Sequence, residues 1–385
     1  MKNYDYVVIG AGIAGCSVAH FLKEDKVLLL DRFDDVAQFA SGAAGGFLSP
    51  LLGKPNKFKE LITTSLKFAI DFYKEIDEEL IVQKGVLRVP KDDEDRLKFD
   101  VYKNFFDFEC EEKEEGFFFK IGSQVFSYDM CKKMTSDIEK IFNYDVKHIF
   151  KEEEFWIIND EIRTKNLIFT TGADISLINE EYFNIRAVWG QRIDISTTSC
   201  IEFNYHKECS ISTSYDKLSN DLYKVSVGAT HHRFDNDLER KYEVFKDPSL
   251  LNLEQIGYTE DLYKKDTSEL LVKANDILQL NDVKVLKTYF GPRASSFDYF
   301  PIVGNIINSK ETLNMFPYLK NGTPVKNDRF SRYDNLYVLN GVGGRGYVLS
   351  PYLAKRLVDF IKDGIPLDEE ITSDRLFKKW VRRQN

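Results

Sequence analysis

Apolar and polar positions change rhythm along the chain. It opens on a short apolar run, Tyr4-Asp5-Tyr6-Val7-Val8-Ile9, which stops at Gly10-Ala11-Gly12-Ile13-Ala14-Gly15. An apolar run of that length closed by glycines reads as a buried strand and a tight turn. From Cys16 to Lys23 the residues Val18, Ala19, Phe21 and Leu22 are the apolar positions of a helix, and Lys26-Val27-Leu28-Leu29-Leu30 is a second buried strand ending at Asp31. From Lys57 to Leu80, the residues Leu61, Ile62, Phe68, Ala69, Phe72, Tyr73 and Ile76 form one stripe at helical spacing, the core face of an amphipathic helix. A strand follows at Gly85–Pro90, then an acidic, aromatic stretch in which Glu111-Glu112-Lys113-Glu114-Glu115 reads as solvated surface. The pattern predicts a helix over Asp129–Phe142 and strands over Asp145–Phe150, Glu154–Ile158 and Asn166–Thr171, the last running into Gly172-Ala173.

From Val188 to about Leu286 the period shortens to strand alternation, at Gln191–Ile195, Ser210–Tyr215 and Tyr223–Thr230. A helix-like stretch at about Ser249–Leu262 interrupts it, and a helix follows at about Thr267–Leu278. The strand Asn335–Asn340 then runs into Gly341-Val342-Gly343-Gly344-Arg345-Gly346-Tyr347, with a helix from about Ser350 through Leu353, Leu357, Val358 and Ile361. The chain thus begins and ends on a strand, a glycine turn and a helix. These alternations predict an α/β protein with two interleaved units: 1–84, 129–187 and 287–385 around a Rossmann-like nucleotide-binding sheet, and 85–128 and 188–286 as a mainly antiparallel substrate domain.

Composition narrows the classes. At 385 residues the chain is comfortable for two domains, and 43% hydrophobic with 30% charged residues is a globular balance. No apolar run reaches the roughly 18 residues of a membrane span, and the glycine-broken N-terminus does not read as a secretion signal. The net charge of −9 argues against nucleic acid unless a local basic patch supplies the contact. Cys16, Cys110, Cys131, Cys200 and Cys209 are odd in number and form no C-x-x-C pair; they read as reduced packing residues of a cytoplasmic protein. No Cys/His cluster has metal-ligand spacing, and His231-His232 reads as a loop or strand pair, so no metal is expected.

Gly10, Gly12 and Gly15 match G-x-G-x-x-G, here in its full setting of strand, turn, helix, second strand and terminal acid. The first glycine permits the turn, the second lets backbone approach a pyrophosphate, and the third lets helix and strand pack closely. Unpaired N–H groups at the helix start face the phosphates, and Asp31 can accept the ribose hydroxyls of an adenosine. This stretch alone leaves FAD and NAD open. The small, mostly uncharged loop Phe39-Ala40-Ser41-Gly42-Ala43-Ala44-Gly45-Gly46-Phe47-Leu48-Ser49-Pro50 suits close approach to a flavin ring.

In the order and spacing of Gly10–Asp31, Ser41-Gly42, Thr171-Gly172, Arg293…Asp298…Pro301…Gly304 and Gly343-Gly344-Arg345-Gly346, the chain resembles the FAD-dependent amine and D-amino-acid oxidase family, DAO. The resemblance implies FAD as cofactor and a GR2-type FAD-binding domain. It implies cofactor contacts at Gly10, Ala11, Gly12, Ile13, Ala14, Gly15, Asp31, Arg32, Ser41, Gly42, Gly46, Val146, Thr171, Gly172, Gly343, Gly344, Arg345, Gly346 and Tyr347. Within the family, the likeness is nearest to the FAD-dependent half of bifunctional tRNA-modifying proteins. It is carried by Ala40-Ser41-Gly42…Gly46…Leu48-Ser49-Pro50-Leu51-Leu52, by Val227-Gly228-Ala229-Thr230 and by the tail Asp374-Arg375-Leu376-Phe377-Lys378-Lys379-Trp380-Val381-Arg382-Arg383. The sequence departs from that pattern at Ala43-Ala44-Gly45, where Asn and further polar residues are usual, and no methyltransferase half is expected in these residues.

That likeness implies oxidative removal of a carboxymethyl group from 5-carboxymethylaminomethyl uridine at the tRNA wobble position, giving an aminomethyl uridine and glyoxylate, with any methyl transfer left to a separate methyltransferase. The group removed is an N-substituted glycine, whose carboxylate needs a cation. Arg293 and Arg345 are the candidates, because a guanidinium binds a carboxylate through two parallel hydrogen bonds. Asp298 reads as a turn residue rather than a base. For tRNA, the basic candidates are Lys378, Lys379, Arg382 and Arg383 around Trp380, then Lys54, Lys57 and Lys59, then Arg329 and Arg332. Two other readings stay open: an oxidase of free glycine, sarcosine or D-amino acids, and a flavin-binding subunit without turnover.

Overall fold

The computed structural model describes residues 1–219, 221–234 and 258–384. In the first strand, Lys2–Ile9, the residues Tyr4, Tyr6, Val7, Val8 and Ile9 are all buried. A strand buried on both faces needs a layer on each side and neighbours on both edges. Lys2–Ile9 pairs in parallel with Val27–Leu30 and with Ile162–Phe169. Val27–Leu30 takes a second parallel partner, Glu139–Ile141, and Ile162–Phe169 takes Arg332–Asn340. Ile302–Ile307 closes that edge antiparallel, and the hairpin Ile149–Glu152/Phe155–Ile158 extends from the start of Ile162–Phe169. This is a Rossmann-like sheet.

Alternate side chains face the two layers. Val8, Leu29, Ile168 and Leu339 meet the helices Ile13–Phe21, Lys57–Asp77, Ser127–Met134 and Gly346–Asp363. Val7, Leu28, Phe169 and Val338 meet Ile178, Tyr182, Leu319 and Phe377 on the other side. Phe377 belongs to the tail helix Asp374–Val381, so the basic tail is a packed layer of this domain.

The second sheet is mainly antiparallel and runs Lys284–Ser295, Arg186–Thr197, Leu222–Gly228, Ser210–Ile211, Asn204–His206, Val86–Arg88, Gly116–Phe119, Cys110–Lys113. Its long outer strand extends to Ser295 and so straddles the division expected at 287. The helix Glu260–Ile277 packs Leu270 and Ala274 on Ile193, Ile195 and Val227. Three short strands, Phe47–Leu48, Ile81–Val82 and Ser123–Val125, form a small third sheet.

Several elements differ from the sequence expectation. The helix expected over Asp129–Phe142 spans Ser127–Met134. Thr135 turns its hydroxyl back onto the Cys131 carbonyl at 3.0 Å, Ser136 and Asp137 favour non-helical hydrogen bonds, and Glu139–Ile141 leaves to pair with Val27–Leu30. The strand expected over Asp145–Phe150 begins at Ile149, because the Asn159 side chain takes the backbone of Asp145, Lys147 and His148. Glu111–Glu115 is exposed as expected, yet it forms most of a hairpin between Cys110–Lys113 and Gly116–Phe119. The helix at Thr267 starts earlier, at Glu260, where the Thr259 hydroxyl caps Leu262 N and two acids occupy the first turn. The stretch Ser249–Leu262 lies mostly outside the described residues. The last long helix starts at Gly346, not Ser350. Pro351 has no N–H for the Tyr347 carbonyl, which accepts from the Tyr73 hydroxyl at 2.9 Å instead.

Candidate active site

The carboxyl ends of the parallel strands open into a cavity of about 570 Å³ walled on its far side by the second sheet. Ligands of open α/β sheets bind at this edge. The nucleotide end is made by the first turn. Gly10 has φ +108°, and a Cβ there would stand 2.5 Å from the Thr170 carbonyl; at Gly15 it would stand 1.8 Å from the Gly10 carbonyl. Only glycine fits either place, so helix Ile13–Phe21 starts hard against the strand. That helix has no acidic residue in its first turn. Asp31 braces the turn: it accepts from Ala11 N at 2.5 Å and from Phe33 N at 2.9 Å. Burial raises its carboxyl, and those two N–H groups oppose the rise.

Ser41 ties the next loop to this turn, its hydroxyl accepting from Ile13 N at 2.9 Å. The departing residues Ala43, Ala44 and Gly45 are held through their carbonyls, by Arg192 Nε at 3.1 Å, Ser127 Oγ at 3.2 Å and Gln124 Nε2 at 3.1 Å. The loop is therefore held through its backbone at these three positions. Arg32, expected at the cofactor, lines the cavity while paired with Asp174 at 2.5 Å and Asp145 at 3.4 Å.

The second glycine turn adjoins the first. Gly341 and Gly343 have φ of +75° and +57°, and a Cβ on Gly346 would touch Ile13 Cγ2 at 3.2 Å. The two glycine-led helix starts thus stand side by side, neither with an acid in its first turn. Of the expected cofactor residues, Gly10, Gly12, Ile13, Ala14, Asp31, Arg32, Ser41, Gly46, Val146, Thr171, Gly172 and Gly343 through Tyr347 line the cavity. Ala11, Gly15 and Gly42 do not; they sit behind it, Gly42 because a Cβ would fall 1.9 Å from the Ala37 carbonyl. A backbone cradle that side chains would fill, two bare helix starts and an acid at the second strand's end fit a dinucleotide such as FAD.

Arg293 and Arg345 both reach the cavity from the expected segments. Arg293 Nη1 donates to the Thr230 carbonyl at 3.1 Å and Arg345 Nη1 to the Ser49 carbonyl at 3.2 Å. Among the described residues no carboxylate pairs with either. Withdrawal from water pulls both guanidiniums down, to about 10. A cation so placed is costly until an anion joins it. Asp298 is a turn residue as expected: it accepts from Ser296 Oγ at 3.0 Å and holds Arg375 through Nε at 2.8 Å and Nη2 at 3.0 Å.

Sequence reasoning missed four polar neighbours. His231 lines the cavity, and burial, then Arg293, Lys273 and His232, lower it to about 4, so it is neutral. His206 lines it as well and is lowered by burial, Arg88 and Arg345. Arg192 is buried, pairs with Asp194 at 2.7 Å and stacks on Tyr289 at 3.8 Å. Arg88 stands behind Ser49. The available signal was a charge inside an apolar strand, in Val86-Leu87-Arg88 and Gln191-Arg192-Ile193-Asp194. His232, read as a loop or strand residue, is bound to the buried Asp266 at 2.7 Å. Among the described residues no His, Cys, Asp or Glu group could hold a metal, and no helix is long and apolar enough to cross a membrane.

Two expected basic patches lose part of their charge to ion pairs. Lys59 is buried against Asp107 at 2.9 Å and Lys57 pairs with Glu60 at 3.3 Å. Arg332 pairs with the buried Asp374 at 2.7 Å. In the tail, Leu376, Phe377 and Val381 are buried while Lys379, Arg382 and Arg383 are exposed.

Residues 5–360 match the family described as FAD dependent oxidoreductase. The chain is 24% identical over 374 residues to the tRNA 5-methylaminomethyl-2-thiouridine biosynthesis bifunctional protein MnmC of Campylobacter fetus subsp. fetus, covering 93% of this chain and 56% of that one. It is 23% identical over 399 residues to the protein of the same name from Legionella pneumophila, covering 94% and 54%. The chain spans about half the length of the curated relatives it matches. Among solved structures it is similar in fold to glycine oxidase from Bacillus cereus, with TM-score 0.69 and 17% identity over 94% of this chain and 96% of that one. It is also similar to iminodiacetate oxidase from Chelativorans sp. BNC1, with TM-score 0.64 and 16% identity over 95% and 98%.

Proposed function

The chain belongs to the FAD dependent oxidoreductase family, and on that premise we propose that it oxidatively removes the carboxymethyl group of 5-carboxymethylaminomethyl(-2-thio)uridine at the tRNA wobble position. Water completes the cleavage, releasing glyoxylate and leaving an aminomethyl uridine. One observation carries the chemistry: Arg293 and Arg345 face one cavity with no carboxylate partner among the described residues. They suit the carboxylate of an N-substituted glycine. The relatives named for tRNA 5-methylaminomethyl-2-thiouridine biosynthesis support the wobble nucleoside as its carrier.

Bound FAD supplies the two-electron acceptor. The chain's part is to hold, orient and desolvate. Gly10, Gly12–Ala14, Asp31, Ser41, Thr171, Gly172 and Gly343–Tyr347 would hold the cofactor. Arg293 and Arg345 would fix the carboxylate and so aim the adjacent C–N bond. Two guanidiniums beside neutral His206 and His231 also disfavour a protonated substrate amine, and the secondary amine must be neutral to be oxidised. The exposed Lys379, Arg382 and Arg383, with Lys378 beside them, would meet tRNA phosphates in the cytoplasm, and a separate methyltransferase would follow.

A second reading, an oxidase of a free amino acid such as glycine or sarcosine, is favoured by the buried or paired state of Lys59 and Arg332. Anaerobic bleaching of the flavin separates the two. Bleaching by tRNA from a strain lacking this protein, and not by glycine or sarcosine, supports the first; bleaching by glycine alone overturns it.

A further inference from the structure

Arg88 is a charge that carboxylate binding by Arg293 and Arg345 does not use. It ends the strand Val86–Arg88 inside the second sheet, opposite His206 on one side and Phe117 on the other. Its Nη1 donates to Ser49 Oγ at 3.1 Å and to the Pro50 carbonyl at 2.8 Å. Its Nε is buried with no acceptor among the described residues, and no carboxylate forms an ion pair with it there. Arg345 reaches the same serine, at its carbonyl, at 3.2 Å. Two guanidiniums therefore converge on one residue of the cavity wall.

The surroundings do not balance them. Burial, then Arg345, pulls Arg88 down, and Asp95 is the acid that opposes. His206 lies against the pair, bonded through Nδ1 to Ser210 Oγ at 2.7 Å, and is pushed towards its neutral form by burial, Arg88, Arg345, Lys91 and His231. Like charges gathered away from bulk water are unfavourable alone and become favourable when an anion enters between them. Ser49, His206 and Arg345 all line the cavity, so an anion can reach this place from inside it.

Resting on the carboxylate-amine reading above, we propose that Arg88, Ser49 and Arg345 form one anion site, in which Arg345 touches the substrate carboxylate and Arg88 is its positioning residue. Arg88 holds Ser49, and through it the Arg345 guanidinium, while adding a third positive charge to the carboxylate's field beside those of Arg293 and Arg345.

Methoxyacetate tests this on the FAD-loaded protein. It carries the carboxylate and puts an ether oxygen where the oxidisable amine would be, and its binding is read from the flavin spectrum. Arg88→Gln is expected to weaken methoxyacetate by roughly 10- to 50-fold, with flavin content and melting temperature kept, and Arg88→Lys to recover most of the loss. Methoxyacetamide, uncharged, is expected to bind parent and Arg88→Gln equally weakly. If Arg88→Gln binds methoxyacetate as tightly as the parent, or loses affinity only together with flavin or melting temperature, the role of Arg88 is overturned and the carboxylate-amine reading stands. If the parent itself does not discriminate methoxyacetate from methoxyacetamide, both fall.

Discussion

At the Gly10–Gly15 end of the cavity, the turn is main-chain atoms braced by the Asp31 carboxylate, all from a single run of strand, turn, helix and strand, with Ser41, Thr171 and the paired Arg32 and Asp174 beside it. At the other end they are the guanidiniums of Arg293 and Arg345, with Arg88 behind Ser49, brought together from three separate parts of the chain. The first end is specific through what is missing, because a Cβ at Gly10 or Gly15 would overlap carbonyl oxygens. The second is specific through charge left uncompensated. A steric cradle tolerates no added atom, and a charge cluster tolerates repacking but not loss of charge.

The largest expected effect breaks the first end. Gly15→Ala puts a methyl 1.8 Å from the Gly10 carbonyl and is expected to cost upwards of about 4 kcal/mol, with no FAD retained in the purified protein. A yellow protein of unchanged melting temperature would contradict the close-packed turn. Next, Arg345→Ala is expected to keep its flavin and raise KM for the amine substrate about 100-fold or more, the scale of an unpaired buried charge contact. Loss of FAD instead would make Arg345 a structural part of the first end.

A third change should leave both ends alone. Arg375→Ala removes the fork onto Asp298 and is expected to lower stability by about 1–3 kcal/mol while FAD and methoxyacetate affinities hold. Denaturant unfolding and flavin titration on one preparation check it. The smallest effect is in pH. His206 and His231 are both lowered in the folded protein, His231 to about 4 from the ordinary histidine value of 6.5. The unfolded chain then binds protons that the folded chain refuses, so stability should decline as pH falls from about 6.5 towards 4. His231→Gln should make that decline shallower in a melting series, and methoxyacetate affinity should show no histidine step between about pH 6 and 8.

The first end was legible because its information is contiguous. Buried strand, G-x-G-x-x-G, helix and Asp31 occur in order within one segment, and each constraint acts between near neighbours in sequence. Even there, the bracing of Ala11 N by Asp31 was invisible, since it needs the folded turn. The expected helix over Asp129–Phe142 was too long because local periodicity cannot see the vacant edge of Val27–Leu30 that Glu139–Ile141 fills. Lys59 was counted as surface charge, as a lysine on a helix usually is. Phe105 and Asp107, distant in sequence, enclose it. Arg88 passed unnoticed because one arginine in a short apolar strand looks like a rim residue until Ser49, His206 and Arg345 are placed around it.

By itself the sequence carried the α/β class and the two glycine turns, because backbone conformation and local periodicity are written in neighbouring residues, and it offered Arg293 and Arg345 as candidates through the family resemblance. Only the tertiary structure decided which charges are free. Lys59, Arg332 and Arg375 are consumed by Asp107, Asp374 and Asp298, whereas Arg293 and Arg345 line the cavity, partly buried, with Arg88 behind Ser49, and none has a carboxylate partner among the described residues. Whether a charge is compensated depends on what folds against it, and desolvation is a property of the assembled cavity rather than of any segment.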